Sequence, residues 1–285
     1  MHDTCLCNVY IWRMQSKEAS TNNHLTSIAS GARNQKPLQN KVAIVTGSSY
    51  GIGLAIARRL AQDGAHVLIS SRKLENVDKA VQMLKDEGLS VSGVPCHVGK
   101  EEDRDRLVTT ALKQYGQIDI LICNAAVNPF SGPFLDTTED MWNKVLHVNV
   151  TSTFLLVKLV VPHMQKQGSG SIILSSSIVG YIPQQHIGAY SVSKTALLSL
   201  TNVLAQALRF MNIRVNGLAF GMINTGFSKV ALRTPELYTK LKPLGIFRFG
   251  EPEECAGIAS FLCSEDASYI NGENIAVTGG MHGKL

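Results

Sequence analysis

From Lys41 onward, short β-branched and apolar runs alternate with longer amphipathic segments. The apolar runs predict strands at Val42–Thr46, His66–Ser70, Ser90–Pro95, Ile118–Cys123, Ser171–Ser175, Ile213–Ala219 and Asn274–Val277. Helical periodicity fills the intervals near 52–63, 74–87, 101–115, 138–166, 188–210, 226–240 and 252–264. Strands alternating with helices imply βαβ units, and seven such strands predict an α/β fold built on a doubly wound, seven-stranded parallel sheet. No linker or composition break interrupts 39–285, which reads as a single domain. Residues 1–38 lack this periodicity and end in the polar, turn-rich run Ser30–Leu38, the pattern of a leader or flexible arm.

Composition narrows the classes. Of 285 residues, 45% are hydrophobic and 17% charged, enough apolar material for a large core and too little charge for disorder. The net charge of +5 is spread along the chain, with no run of Lys or Arg longer than two, so no nucleic-acid-binding face is expected. No apolar stretch reads as long enough for the ~18–20 residues of a membrane span, and Phe154–Val161 reads as core helix. The six cysteines (5, 7, 96, 123, 255 and 263) lack CxxC spacing and are expected to be reduced thiols. His147, His163 and His186 stand apart from other ligand types, so no metal site is expected.

Two segments carry chemistry. The first strand runs into Thr46-Gly-Ser-Ser-Tyr-Gly-Ile-Gly53 and then a helix. Such a turn sets backbone N–H groups and a helix N-terminus against a pyrophosphate. Gly47 allows the tight turn, Gly51 the approach of phosphate, and Gly53 the packing of helix on strand. Ser49 and Ile52 lie within the same turn. At the end of the second strand stand Ser71 and Arg72, with no acid to hold the ribose hydroxyls of NAD. Arg72 can pair with a 2′-phosphate and Ser71 can add a donor, which predicts NADP(H). Arg72 as a solvated helix-start residue is the plainer alternative.

Tyr190 and Lys194, four apart at the start of a helix, share one face. An ammonium near a phenol is expected to lower its pKa from ~10 by about 1–3 units and make a general acid/base. Alone, the spacing fits a surface pair better than a site. Its place after the strand ending Ser175-Ser-Ser177 favours a site, because doubly wound folds bind ligands at the carboxyl ends of strands.

Together these motifs resemble the short-chain dehydrogenase/reductase family, from Leu38 to the C-terminus. The resemblance rests on Thr46–Gly53, Asn124-Ala-Ala126, Asn149, Ser177, and Tyr190 with Lys194. It implies a Rossmann fold and a catalytic tetrad of Asn149, Ser177, Tyr190 and Lys194. In this family the serine lies thirteen residues before the tyrosine, which selects Ser177. It also implies that Asn124 steadies the sheet beside the adenine ribose, that Asn149 holds a water in the proton relay, and that Tyr190, Lys194, Ile223 and Thr225 contact the cofactor. Ser70-Ser-Arg-Lys73, Cys96–Lys100, Asn124–Phe130 and Ser264–Glu273 resemble one branch, the NADPH-dependent retinal and carbonyl reductases. That likeness implies a homotetramer reducing retinal, aromatic ketones or α-dicarbonyls, a carbonyl reductase/retinol dehydrogenase.

The chain departs from the family pattern at Phe220-Gly221, where Pro-Gly is usual beside the nicotinamide, and at His97, where many relatives have aspartate. Phe220 leaves room for a rival reading, a non-catalytic NADP(H)-binding sensor. Phe220, Met222 and Phe227 are candidates for an apolar substrate wall, and His186 for a substrate contact. Gly283-Lys-Leu285 resembles a peroxisomal Ser-Lys-Leu address, and the first residues partly match a mitochondrial presequence. A mitochondrial or peroxisomal location is expected, with the cytosol as the alternative.

Overall fold

The computed structural model describes residues 36–226, 228 and 248–281. Its strands are β1 (Val42–Thr46), β2 (His66–Ser71), β3 (Val91–Pro95), β4 (Ile120–Cys123), β5 (Gly170–Ser177), β6 (Ile213–Phe220) and β7 (Asn274–Val277). All seven fall where the apolar runs predict them. The helices among the described residues are α1 (Gly51–Gln62), α2 (Leu74–Asp86), α3 (Glu101–Tyr115), α4 (Glu139–Leu146), α5 (Ser152–Gln167), α6 (Gly188–Leu208) and α7 (Pro252–Cys263). Residues 1–35 of the expected arm, most of the helix expected over 226–240, Phe227, and the C-terminal Gly283–Leu285 lie outside the described residues.

The strands form one parallel sheet in the order β3-β2-β1-β4-β5-β6-β7. Helices cover both faces, which is why β1 is buried at every position and reads as a continuous apolar run. Ala43, Val45, Ile120 and Ile122 pack with Ile56 and Leu60 of α1, Val77 of α2 and Leu262 of α7. Ile44, Leu121 and Ile172 face the other way, toward Leu107 of α3, Leu156 and Val160 of α5, and Leu197 of α6. Each fully buried aliphatic side chain contributes about 1.5–3 kcal/mol, so these two layers hold the sheet. Leu38, assigned to the arm from sequence, belongs to the first layer, and its N–H donates to the Asp63 carbonyl at 2.8 Å. The packed chain therefore starts before residue 39. Winding reverses between β1 and β4, which opens a crevice at the carboxyl ends of the strands.

The helix expected over 138–166 is interrupted. Between α4 and α5 the chain makes a π-turn, His147–Thr151. Ser152 Oγ donates to the Val148 carbonyl at 2.5 Å and Thr153 Oγ1 to the Asn149 carbonyl at 2.9 Å, satisfying groups in and beside the widened turn. Glu139–Gln167 as a whole is long and apolar enough to cross a membrane by length and composition, contrary to the expectation from sequence. Its apolar residues Val148, Leu156, Val157, Val160 and Met164 are instead spent on the second core layer.

Candidate active site

At the β1–α1 turn, Gly47 and Gly51 adopt φ of 61° and 56°, which side chains with a Cβ rarely adopt. Ser48 latches this turn to β2: its Oγ donates to the Val45 carbonyl at 2.6 Å and accepts from the Ser70 N–H at 3.0 Å. Asn124, just after β4, clamps the turn from the other side. Its Nδ2 donates to the Thr46 and Gly47 carbonyls at 3.1 and 3.0 Å. A Cβ on Gly53 would lie 2.4 Å from the Gly47 oxygen and 2.5 Å from Asn124 Nδ2. Gly53→Ala is expected to cost about 1–3 kcal/mol through this overpacking, seen as a lower urea midpoint.

The first turn of α1 has no side-chain cap from Tyr50, and Ser49, Gly51, Ile52 and Gly53 surround it. Across the crevice, Ser71 Oγ is buried without a hydrogen-bond partner. Arg72 beside it is exposed and makes no ion pair among the described residues. The segment after β6 returns to the same place, since a Cβ on Gly51 would lie 3.1 Å from Thr225 Cγ2. Ile223 anchors that segment through a bridge to Gly250. A positive-φ turn, an uncapped helix start and an orphan hydroxyl fit the phosphates and ribose of a dinucleotide.

The second cluster lies at the carboxyl ends of β5 and β6. Ser177, the last residue of β5, hydrogen-bonds the Tyr190 phenol. Its Oγ also donates to the Phe220 carbonyl at 3.3 Å. Ser176 Oγ instead donates to the Lys194 carbonyl, and Ser175 Oγ has no partner. Lys194 Nζ stands 5.4 Å from the centre of the Tyr190 ring and donates to the Ser175 carbonyl at 2.7 Å. Asn149 sits in the π-turn with both amide hydrogens used, one on the Val127 carbonyl and one on Ser193 Oγ, each at 3.0 Å. Its Oδ1 accepts the Val127 N–H at 2.8 Å. Ser193 Oγ in turn donates to the Tyr190 carbonyl at 2.7 Å. Asn149, Ser177, Tyr190 and Lys194 are thus one connected group.

The electrostatics differ from the sequence expectation. Burial of the Tyr190 hydroxyl pushes its pKa up, and its hydrogen bond with Ser177 opposes this only in part. Burial also pulls Lys194 down to about 7. Desolvation outweighs the attraction between the two groups, so the phenol is held as a proton donor, not as a phenolate. Burial likewise pushes the Cys96 and Cys123 thiols up to about 12, which leaves them unreactive.

Phe220 does not form a substrate wall. Its side chain is 4% exposed and lies in the first core layer with Leu218, two positions back on the same strand face. Met222 packs against the small cluster of Ile178 and Met281. A shallow, open-sided depression lies instead beside the start of α6, lined by Phe130, Met141, Val145, His186, Ile187 and Ala189 among others. Ser193 was missed from sequence, although its position three residues after Tyr190 places it on the helix face of the tetrad.

The chain matches the family model described as enoyl-(acyl carrier protein) reductase over residues 47–282. Dehydrogenase/reductase SDR family member 4 of Sus scrofa is 58% identical over 259 residues, which cover 90% of this chain and 92% of the relative. This chain belongs to the short-chain dehydrogenase/reductase family. As a member of that family it is an oxidoreductase acting on CH–OH or C=O groups. Dehydrogenase/reductase SDR family member 2, mitochondrial, of Homo sapiens is 55% identical over 85% of this chain and 86% of the relative. Among solved structures, a gluconate 5-dehydrogenase from Burkholderia cenocepacia in complex with NADP and tartrate superposes with a TM-score of 0.84 at 28% identity, covering 90% of this chain and 100% of that one. A short-chain type dehydrogenase/reductase from Mycobacterium marinum gives a TM-score of 0.81 at 28% identity over 86% of this chain and 97% of that one.

Proposed function

We propose that this enzyme is an NADPH-dependent carbonyl reductase acting on retinal, aromatic ketones, α-dicarbonyls or similar apolar carbonyls, with retinol dehydrogenation as the reverse reaction. The observation that carries the reading is the Ser177–Tyr190–Lys194 cluster at the sheet crevice, with Lys194 buried and a dinucleotide cradle alongside. The preference for NADPH rests on Ser71 and Arg72 and on the lack of a carboxylate at the end of β2. A related enzyme solved with NADP supports it. The depression beside α6 offers Phe130, Met141, Val145 and Ile187 as apolar contacts for such substrates.

The cofactor, when bound, supplies the hydride that reduces the carbonyl carbon. Ser177 turns its hydroxyl from the Phe220 carbonyl to the substrate oxygen. Tyr190 gives its proton to that oxygen as negative charge develops and is left as phenolate. Lys194, as ammonium, stabilises the phenolate and would hold the nicotinamide ribose hydroxyls when the cofactor is bound. Asn149 acts through Ser193 on the Tyr190 backbone, with its side-chain amide already engaged, so the water-holding role implied for it does not fall to that amide.

The pH dependence follows from these groups. Below about 7 Lys194 is charged, and above it the charge is lost. Tyr190 stays protonated across the neutral range. The rate of reduction is therefore expected to fall as pH rises through about 7, while oxidation of the alcohol, which needs Tyr190 as base, rises with pH. Steady-state kcat/KM in both directions checks this, and a profile flat across neutrality would contradict the roles given to the pair.

The likeness to the retinal and carbonyl reductase branch also supports a homotetramer and a mitochondrial or peroxisomal address. Sedimentation of the full chain tests the first, and separate tagging of each terminus tests the second.

A further inference from the structure

We propose that His147 is a positioning residue that ties the loop after β3 to the π-turn bearing Asn149, so that seating of the cofactor's adenine end is felt at the catalytic group. This rests on the dinucleotide reading of the cradle.

The loop is strung between the cradle and the π-turn. At one end the Cys96 N–H donates to the Ser71 carbonyl at 2.9 Å, directly beside the orphan Ser71 hydroxyl. The His97 N–H is held by Asp103 Oδ2 at 2.7 Å, and the buried Arg104 donates from Nη1 to the Val98 carbonyl at 2.7 Å. The loop is thereby pinned to α3. At its other end Gly99 is gripped on both sides. Its N–H donates to His97 Nδ1 at 3.2 Å, and its carbonyl accepts from His147 Nε2 at 2.9 Å. These two bonds fix both tautomers, with the proton on Nε2 in each ring. A Cβ on Gly99 would lie 3.1 Å from His97 Cε1 and 3.2 Å from His147 Nε2, so the two rings close on this glycine.

His147 opens the π-turn, two residues before Asn149. A π-turn is a strained insertion that needs outside contacts to persist, and such turns concentrate at functional sites. Here Val148 packs into the second core layer, and the polar contacts come from the residues on either side of it. Asn149 holds Val127 and Ser193 on the inner side, and His147 holds Gly99 on the outer side. The run Ser71, Cys96, Gly99, His147, Asn149, Ser193, Tyr190 is continuous through hydrogen bonds and short stretches of backbone.

Hydrogen exchange on the full-length protein, with and without NADPH, supplies that test. In wild type, NADPH is expected to slow exchange in peptides covering both 94–100 and 143–152. His147→Phe keeps the ring and removes the donor, and His147→Gln keeps a donor. The Phe variant is expected to retain protection over 94–100 and to lose it over 143–152, with kcat reduced about 2- to 30-fold, the range of typical coupling effects. The Gln variant should restore both. Protection over 143–152 that survives in the Phe variant would overturn the proposal, as would its loss in both variants. No protection in either segment of the wild-type protein would instead overturn the cofactor reading on which the proposal stands.

Discussion

Tyr190→Phe is expected to lower carbonyl turnover about 10²- to 10⁴-fold, the usual contribution of a positioned general acid. NADPH affinity should stay largely intact. The substitution removes one hydroxyl and leaves the ring beneath Lys194. Ser177 keeps the Phe220 carbonyl as acceptor and the Val179 N–H as donor, so the loss of its bond to Tyr190 costs only about 0.5–1.5 kcal/mol. Steady-state kinetics beside a fluorescence titration with NADPH separate the two effects. Comparable losses in turnover and affinity would mean that Tyr190 shapes the site and does not supply the proton.

Arg72→Glu should exchange one cofactor for the other. A carboxylate at the end of β2 repels a 2′-phosphate and accepts from the 2′-hydroxyl of NADH. Loss of one charge-assisted bond, about 1.5–3 kcal/mol, raises KM for NADPH about 10- to 150-fold before the added repulsion is counted. The KM for NADH should fall. Because Arg72 is exposed and bonds none of the tetrad, kcat should change little, which marks the effect as cofactor binding. Unchanged KM values for both cofactors would return Arg72 to a solvated helix-start residue and move the discrimination elsewhere.

The strands were legible because helices bury them on both faces, so β1 and β4 appear in the sequence as unbroken apolar runs. Tyr190 and Lys194 were legible because four residues on a helix is a fixed geometry. The π-turn was not, since an inserted residue leaves the apolar pattern of 138–166 nearly unchanged and the bonds of Asn149 to Val127 lie outside that segment. The direction of the Tyr190 pKa is not legible for a related reason: spacing gives proximity to Lys194, while burial of the two groups is set by tertiary packing. The position of Phe220 was present in the sequence. It shares a strand face with Leu218, and period-two alternation assigns it to the core instead of the cleft. The contact of His147 with Gly99 joins residues 48 apart and has no local signature.

The most direct test of the account is consumption of NADPH, with NADH in parallel, by the purified full-length protein against benzil, phenylglyoxal and all-trans retinal. The account predicts turnover with NADPH and little with NADH. Binding of NADPH with no turnover of any of these carbonyls would contradict it.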